Sequence, residues 1–166
     1  MKRRTLLLGG AGLAALAAGG LGAWRITAAD DAAVGQSGFA VTRTEERWRM
    51  LLTDAEYQVM REMGTEQPFS SPLNAEDRAG TYLCKGCALP VYASDTKFES
   101  GTGWPSFTEA LPDAVGTQDD DTLFATRTEV HCRRCGSHLG HIFDDGPPPT
   151  GKRHCLNGLA LQFLPA

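Results

Sequence analysis

Between residues 45 and 63 apolar side chains recur at helical spacing, Trp48, Leu51 and Leu52 in one stretch and Tyr57, Met60 and Met63 in the next. Between them, Thr53-Asp54-Ala55-Glu56 has the form of a capping box, in which a hydroxyl and a carboxylate satisfy each other's backbone N–H groups. The pattern predicts two short helices, the second ended by Gly64, with these apolar positions, both Met residues included, turned into a core. From Gly80 onward the period changes. Thr81-Tyr82-Leu83, Leu89-Pro90-Val91-Tyr92, Leu123-Phe124-Ala125-Thr126, Glu129-Val130-His131 and Leu159-Ala160-Leu161-Gln162-Phe163 are short runs broken by Gly, Pro, Asp and Asn, which predicts strands and turns. No repeat of solenoid length is visible. The expectation is a mainly β unit, small and antiparallel, behind short N-terminal helices, and held by something besides its core.

A chain of 166 residues, 42% hydrophobic and 22% charged, is one of folding type rather than disordered. Sixteen basic residues against twenty acidic ones give a formal charge of −4, which lacks the basic footprint of a nucleic-acid binder. The first residues stand apart. Met1-Lys2-Arg3-Arg4 precedes residues 5–23, an uncharged stretch rich in Leu, Ala and Gly, and this is a targeting segment. The paired Arg3-Arg4 resembles a twin-arginine export signal, with an ordinary secretory signal or an uncleaved anchor as the alternative. Thr27-Ala28-Ala29 offers small residues for cleavage. Residues 1–29 are therefore read as export signal or anchor, 30–44 as a small, polar linker, and 45–166 as the functional domain, located in the periplasm or another extracytoplasmic space, free or tethered. Lys2, Arg3, Arg4 and Arg25 fall in the leading segment, so the remainder holds 12 basic against 20 acidic residues, a formal −8.

Five cysteines cannot all pair within one chain. Cys84-Lys85-Gly86-Cys87 and Cys132-Arg133-Arg134-Cys135 are two C-x-x-C turns, and four thiolates on two such knuckles suit the tetrahedral geometry of a structural Zn²⁺, one per chain. Two disulfides, or a dithiol redox pair, form the competing reading in an exported chain. The 44 residues between the knuckles imply a clamp on two distant hairpins with a functional loop between them. Cys155 is left over, and Lys152, Arg153 and His154 beside it can favour its thiolate, although an inert buried thiol has the same composition. His138 and His141 lie upstream, either able to transfer a proton near neutral pH. On a regular strand they face opposite sides, and through a turn both reach one pocket.

Taken in order, several further segments carry a resemblance. Arg61-Glu62-Met63-Gly64-Thr65-Glu66, Pro68-Phe69, Ser71-Pro72-Leu73, Lys97-Phe98, and Ser100-Gly101-Thr102-Gly103-Trp104-Pro105-Ser106-Phe107 are followed by His138-Leu139-Gly140-His141-Ile142-Phe143, Asp145-Gly146-Pro147, Pro149-Thr150-Gly151 and Arg153-His154-Cys155-Leu156-Asn157. With both C-x-x-C pairs, they resemble the methionine-R-sulfoxide reductases, type B, over about residues 45–165. The resemblance implies two small antiparallel sheets, a structural Zn²⁺ on Cys84, Cys87, Cys132 and Cys135, and reduction of methionine-R-sulfoxide, preferably in proteins or peptides. It implies Cys155 as nucleophile, forming a sulfenic acid. His138, His141 and Asn157 would bind and protonate the sulfoxide oxygen, Trp104 would wall the substrate methyl group, Arg153 would support the thiolate, and Phe143 and Phe163 would line the pocket. Ser106 and Asp145 are expected to shape loops.

Two positions depart from the family pattern. Thr102 stands where many members carry a resolving cysteine, which implies direct regeneration by an external thiol such as a thioredoxin-like protein. His154 replaces a usual Tyr or Phe. A monomer that binds no nucleic acid is expected. A non-catalytic zinc-stapled β binding module, or a general disulfide oxidoreductase with oxidised, metal-free pairs, are the other readings of these residues.

Overall fold

The computed structural model describes residues 38–123 and 125–166; residues 1–29, expected to be an export signal or anchor, and most of the expected 30–44 linker lie outside these. Among the described residues no helix is long and apolar enough to cross a membrane.

Helices α1 (Glu45–Leu51) and α2 (Asp54–Arg61) form where the apolar period and the caps place them. The capping box is complete: Glu56 N–H donates to Thr53 Oγ1 at 3.3 Å and Thr53 N–H to Glu56 Oε2 at 2.9 Å, a cap worth about 1 kcal/mol. Trp48, Leu52, Tyr57 and Met60 are buried as expected, whereas Leu51 and Met63 are exposed. Met63, not Gly64, takes the left-handed position after α2 (φ 55°), and Gly64 N–H returns to Gln58 O at 2.9 Å. That turn throws the Met63 side chain off the apolar face.

Among the described residues nine strands make two antiparallel sheets. The smaller consists of β1 (Gly80–Cys84), β2 (Pro90–Ala93) and β9 (Leu161–Pro165) in the order β2-β1-β9. The larger contains β3 (Lys97–Phe98), β4 (Ser106–Phe107), β5 (Val115–Asp120), β6 (Arg127–Cys132), β7 (His138–Phe143) and β8 (Arg153–Leu156) in the order β3-β4-β8-β7-β6-β5. Tyr82 and Tyr92 of the small sheet meet Phe107 of the large one with ring centroids 4.9 and 4.7 Å apart, and all three are fully buried. Removing one such ring typically costs 3–5 kcal/mol, about as much as any single change can.

Two expectations fail here. The strand expected over 123–126 is not found at its described residues: Leu123, Ala125 and Thr126 lie in the connection between β5 and β6, and Phe124 lies outside the described residues. Asp120 captures the N–H and hydroxyl of Thr122 at 3.0 and 2.6 Å, a side-chain turn that ends β5 and leaves Leu123 exposed. Phe163, expected at the pocket wall, belongs to the small sheet: its ring packs on Tyr82 at 5.0 Å, with the Arg78 guanidinium 5.3 Å from its centroid.

Strand alternation then sorts the large sheet into two faces. Directly opposed residues share a face, so the pairs Ser106 with Cys155, Cys155 with His141, and His141 with Glu129 make one row across β4, β8, β7 and β6. Phe107, His154 and Ile142 form the row on the other face, toward the small sheet. His154 therefore points away from Cys155; its Nδ1 meets the Tyr92 hydroxyl at 2.9 Å.

Candidate active site

Cys155 sits on β8 between β4 and β7, whose backbones must approach closely. At Gly140 of β7 a Cβ would fall 2.0 Å from the Cys155 carbonyl oxygen, so only glycine lets the two strands pair here. Cys155, His141, Trp104, Phe143 and Asn157 line one pocket of about 140 Å³, together with Thr65 and Arg127, which sequence reasoning did not single out for the pocket. Asn157 is fixed by its neighbours: Oδ1 accepts from Glu66 N–H at 2.9 Å and Nδ2 donates to Leu139 O at 3.2 Å. Trp104 Nε1 donates to Glu66 O at 3.1 Å. Glu66, buried, binds the N–H groups of Gly158 and Leu159 through its carboxylate at 2.5 and 3.0 Å, and burial, outweighing those two bonds, pushes its pKa up. One glutamate thus holds both the aromatic wall and the amide of the pocket.

The two histidines share a face because β7 is irregular. Val130 pairs with Gly140, but His131 pairs with His138, so Leu139 is an extra residue in β7. A bulge of this kind reverses the alternation, bringing the His138 and His141 rings to 5.2 Å. His138 does not reach the pocket wall. It lies behind His141, buried, with Nδ1 on Glu129 Oε1 at 2.8 Å and Nε2 buried without a protein hydrogen-bond partner among the described residues. Burial works against the Glu129 charge, yet hydrogen bonds from His131 and His138 draw its pKa down to about 2.

His141 is oriented from the other end of its ring. Nε2 lies 2.7 Å from Asp120 Oδ2, and Asp120 also accepts from Arg127 at 2.6 Å. Hydrogen bonds from Thr122 first, then His141, hold Asp120 well below the usual carboxylate range, so it only accepts and Nε2 carries the proton. Nδ1 is then the nitrogen left for the pocket. Burial, only partly offset by Asp120, lowers the His141 pKa, with Arg127 and His138 acting in the same direction as burial. The Cys155 thiol is pushed up by burial, against the opposing pull of the Arg153 charge and the Thr102 hydroxyl. Thr102 Oγ1 lies 4.0 Å from Cys155 Sγ and 2.8 Å from Ser100 Oγ, which in turn meets Ser106 Oγ at 2.8 Å. Arg153 is buried, forms a two-point contact with Asp145 at 2.8 and 2.9 Å, and lies 4.4 Å over the Phe143 ring. Asp145, expected to shape its loop, also fixes the cation beside the thiol.

Away from the pocket, Cys84 and Cys87 turn the β1–β2 connection, while Cys132 and Cys135 turn that between β6 and β7, one from each sheet. The four Sγ atoms lie within 4.8 Å of one another, the Cys84–Cys135 and Cys87–Cys132 pairs at 3.7 and 3.5 Å, and all are free thiols. Four sulfurs about 2.3 Å from a tetrahedral zinc stand about 3.8 Å apart, so the donor set and its spacing fit such an ion. The Cys84–Cys135 and Cys87–Cys132 approaches cross between knuckles, which the two-disulfide reading within each C-x-x-C does not predict.

A family model described as the SelR domain matches residues 52–165. The peptide methionine sulfoxide reductase MsrB of Methanosarcina barkeri is 51% identical over 125 residues, 75% of this chain and 88% of that protein. The protein of that name from Pseudomonas putida is 50% identical over 126 residues (75% and 95%). That from Leifsonia xyli subsp. xyli is 48% identical over 133 residues (79% and 96%).

Proposed function

This chain belongs to the SelR domain family, with the peptide methionine sulfoxide reductases MsrB as its relatives, and we propose that it reduces methionine-R-sulfoxide in oxidised proteins and peptides through Cys155. The observation that carries the assignment of roles is that Cys155 and His141 are directly paired across β8 and β7 and line the same pocket, beside Trp104.

At rest the thiol is protonated and His141 is neutral, with Nδ1 unprotonated. The Cys155 proton passes to Nδ1, and the thiolate attacks the sulfoxide sulfur. The proton then moves from Nδ1 to the sulfoxide oxygen. In the resulting adduct the hydroxyl shifts from the methionine sulfur to the Cys155 sulfur, so that the methionine S–O bond and the new S–S bond both break and a Cys155 S–O bond forms; Cys155 is left as a sulfenic acid, two electrons oxidised, and methionine leaves as the thioether. Trp104 and Phe143 hold the methyl end by apolar contact. Arg153, set by Asp145, stabilises the thiolate. Asp120 and Glu129, through His141 and His138, are positioning residues, and Asn157 shapes the pocket floor.

Thr102 occupies the place facing Cys155, and the remaining four cysteines form the clamp. The sulfenic acid is therefore attacked by an external thiol, releasing water and leaving a mixed disulfide that a second thiol resolves. A thioredoxin-like protein in the export compartment fits this need. Cys84, Cys87, Cys132 and Cys135 would hold Zn²⁺, which supplies folding energy rather than chemistry. We assign the chain to an extracytoplasmic location through Arg3-Arg4 and the apolar segment after it, and to a monomeric state.

With dithiothreitol as reductant, Cys155→Ser is expected to abolish reduction of the R-epimer while leaving the fold intact. Dimedone added after one turnover should label Cys155 by mass spectrometry. An intramolecular disulfide to Cys155 in the oxidised enzyme would overturn the direct-regeneration step, and an active Cys155→Ser variant would overturn the assignment.

A further inference from the structure

Beside the Cys155 pocket runs a larger groove, about 640 Å³, that none of the steps above uses. Thr65 lines both spaces. One wall is the exposed side of α2 with Gln58; the other is the 65–73 segment with Gln67 and Ser70; Val59, Leu159 and Leu161 give apolar contact. Groove and pocket are built on the same residue. The Glu66 carboxylate ties down Gly158 and Leu159 beneath the groove, while the Glu66 backbone holds Asn157 and Trp104 of the pocket. The charges at its edge are matched, Lys85 Nζ lying 3.0 Å from Glu56 Oε1.

We propose, on the reading of the activity given above, that this groove is the subsite for the polypeptide flanking the oxidised methionine, and that it takes an extended, uncharged segment. The pocket, about 140 Å³, is on the scale of one side chain, so the polypeptide that bears the methionine lies outside it, and the groove is the neighbouring open space, sharing Thr65 with the pocket. Amide and hydroxyl groups along its rims suit main-chain N–H and C=O groups, and the apolar floor suits alternate side chains of an extended strand. No unpaired charge asks for a charged ligand there.

Ala55 and Gln58 lie one turn apart on the exposed side of α2 and border the groove, so Ala55→Trp and Gln58→Trp fill it from the helix surface without touching the core. The measurement is kcat/KM with dithiothreitol for N-acetyl-methionine-R-sulfoxide and for the same sulfoxide inside an uncharged, unstructured peptide. The peptide-to-free ratio is expected to fall about tenfold in both variants, equivalent to about 1.4 kcal/mol of lost peptide binding. An unchanged ratio in two folded variants overturns the proposal. So does a loss seen only when thioredoxin replaces dithiothreitol, which would give the groove to the reductant. Failure of the unmodified enzyme on both substrates would instead sink the underlying activity.

Discussion

Cys155 and His154 are neighbours in the chain with opposite surroundings, and the difference decides the chemistry of the thiol. Three cations flank Cys155 in sequence, yet only Arg153 acts on it. Lys152 is spent on Asp144 at 2.5 Å, and His154, on the core face, is held neutral by burial, with Lys152 a lesser cause, at a pKa of about 4. Burial therefore wins at Cys155, and its pKa is raised. Below a thiol's pKa the thiolate fraction grows about tenfold per pH unit, each unit being about 1.4 kcal/mol. The alkylation rate of Cys155 by iodoacetamide should accordingly still be climbing through pH 8, well past neutrality. Arg153→Met removes the one favourable charge and frees Asp145, whose charge also raises the thiol, so the midpoint should move further up. A midpoint below neutrality in the unmodified protein would refute this account of the resting site.

At the scale of elements, each C-x-x-C pair forms a turn ending in a left-handed residue, Gly136 in one (φ 66°) and Ala88 in the other (φ 55°). Alanine in that conformation costs roughly 1–2 kcal/mol, while glycine's greater freedom in the unfolded chain costs roughly 0.5–1. Ala88→Gly is thus expected to stabilise the protein by about 0.5–1 kcal/mol; thermal or denaturant unfolding of the metal-loaded form would show it, and a lower midpoint would count against it. The helices, the capping box and both knuckles were legible in sequence because their signals are local, set by residues within three or four positions of each other. β5 was not, because after Val115 it carries Gly, Thr, Gln and Asp instead of an apolar alternation. The shared face of His138 and His141 was not legible either. It depends on an extra residue at Leu139 that only pairing with β6 reveals. The supports of the pocket were missed for a similar reason: Asp120 lies 21 positions from His141, and Glu66 lies 91 positions from Asn157.

For the whole molecule the question is what keeps two small sheets in one arrangement. Their shared apolar contact centres on Tyr82, Tyr92 and Phe107, while the sulfur cluster joins the β1–β2 turn of one sheet to the β6–β7 turn of the other. The cysteine cluster lies at the Cys132–Cys135 end of the same hairpin that carries Glu129, His138 and His141, so a metal bound there would act on the site through the backbone. A structural zinc not bound in the unfolded state adds its binding energy to folding. Stripping the metal with a chelator is therefore expected to lower the thermal midpoint by more than about 10 °C, since several kcal/mol spread over a domain of this size shift it by that much. Activity should fall in parallel with the loss of folded protein and return when Zn²⁺ is restored, with Cys155 still unmodified. Cys155→Ser, in contrast, should melt like the unmodified protein and bind one Zn²⁺. If a metal-free chain kept its melting temperature and its activity, the clamp would have no structural role and the two sheets would be held by their aromatic contact alone.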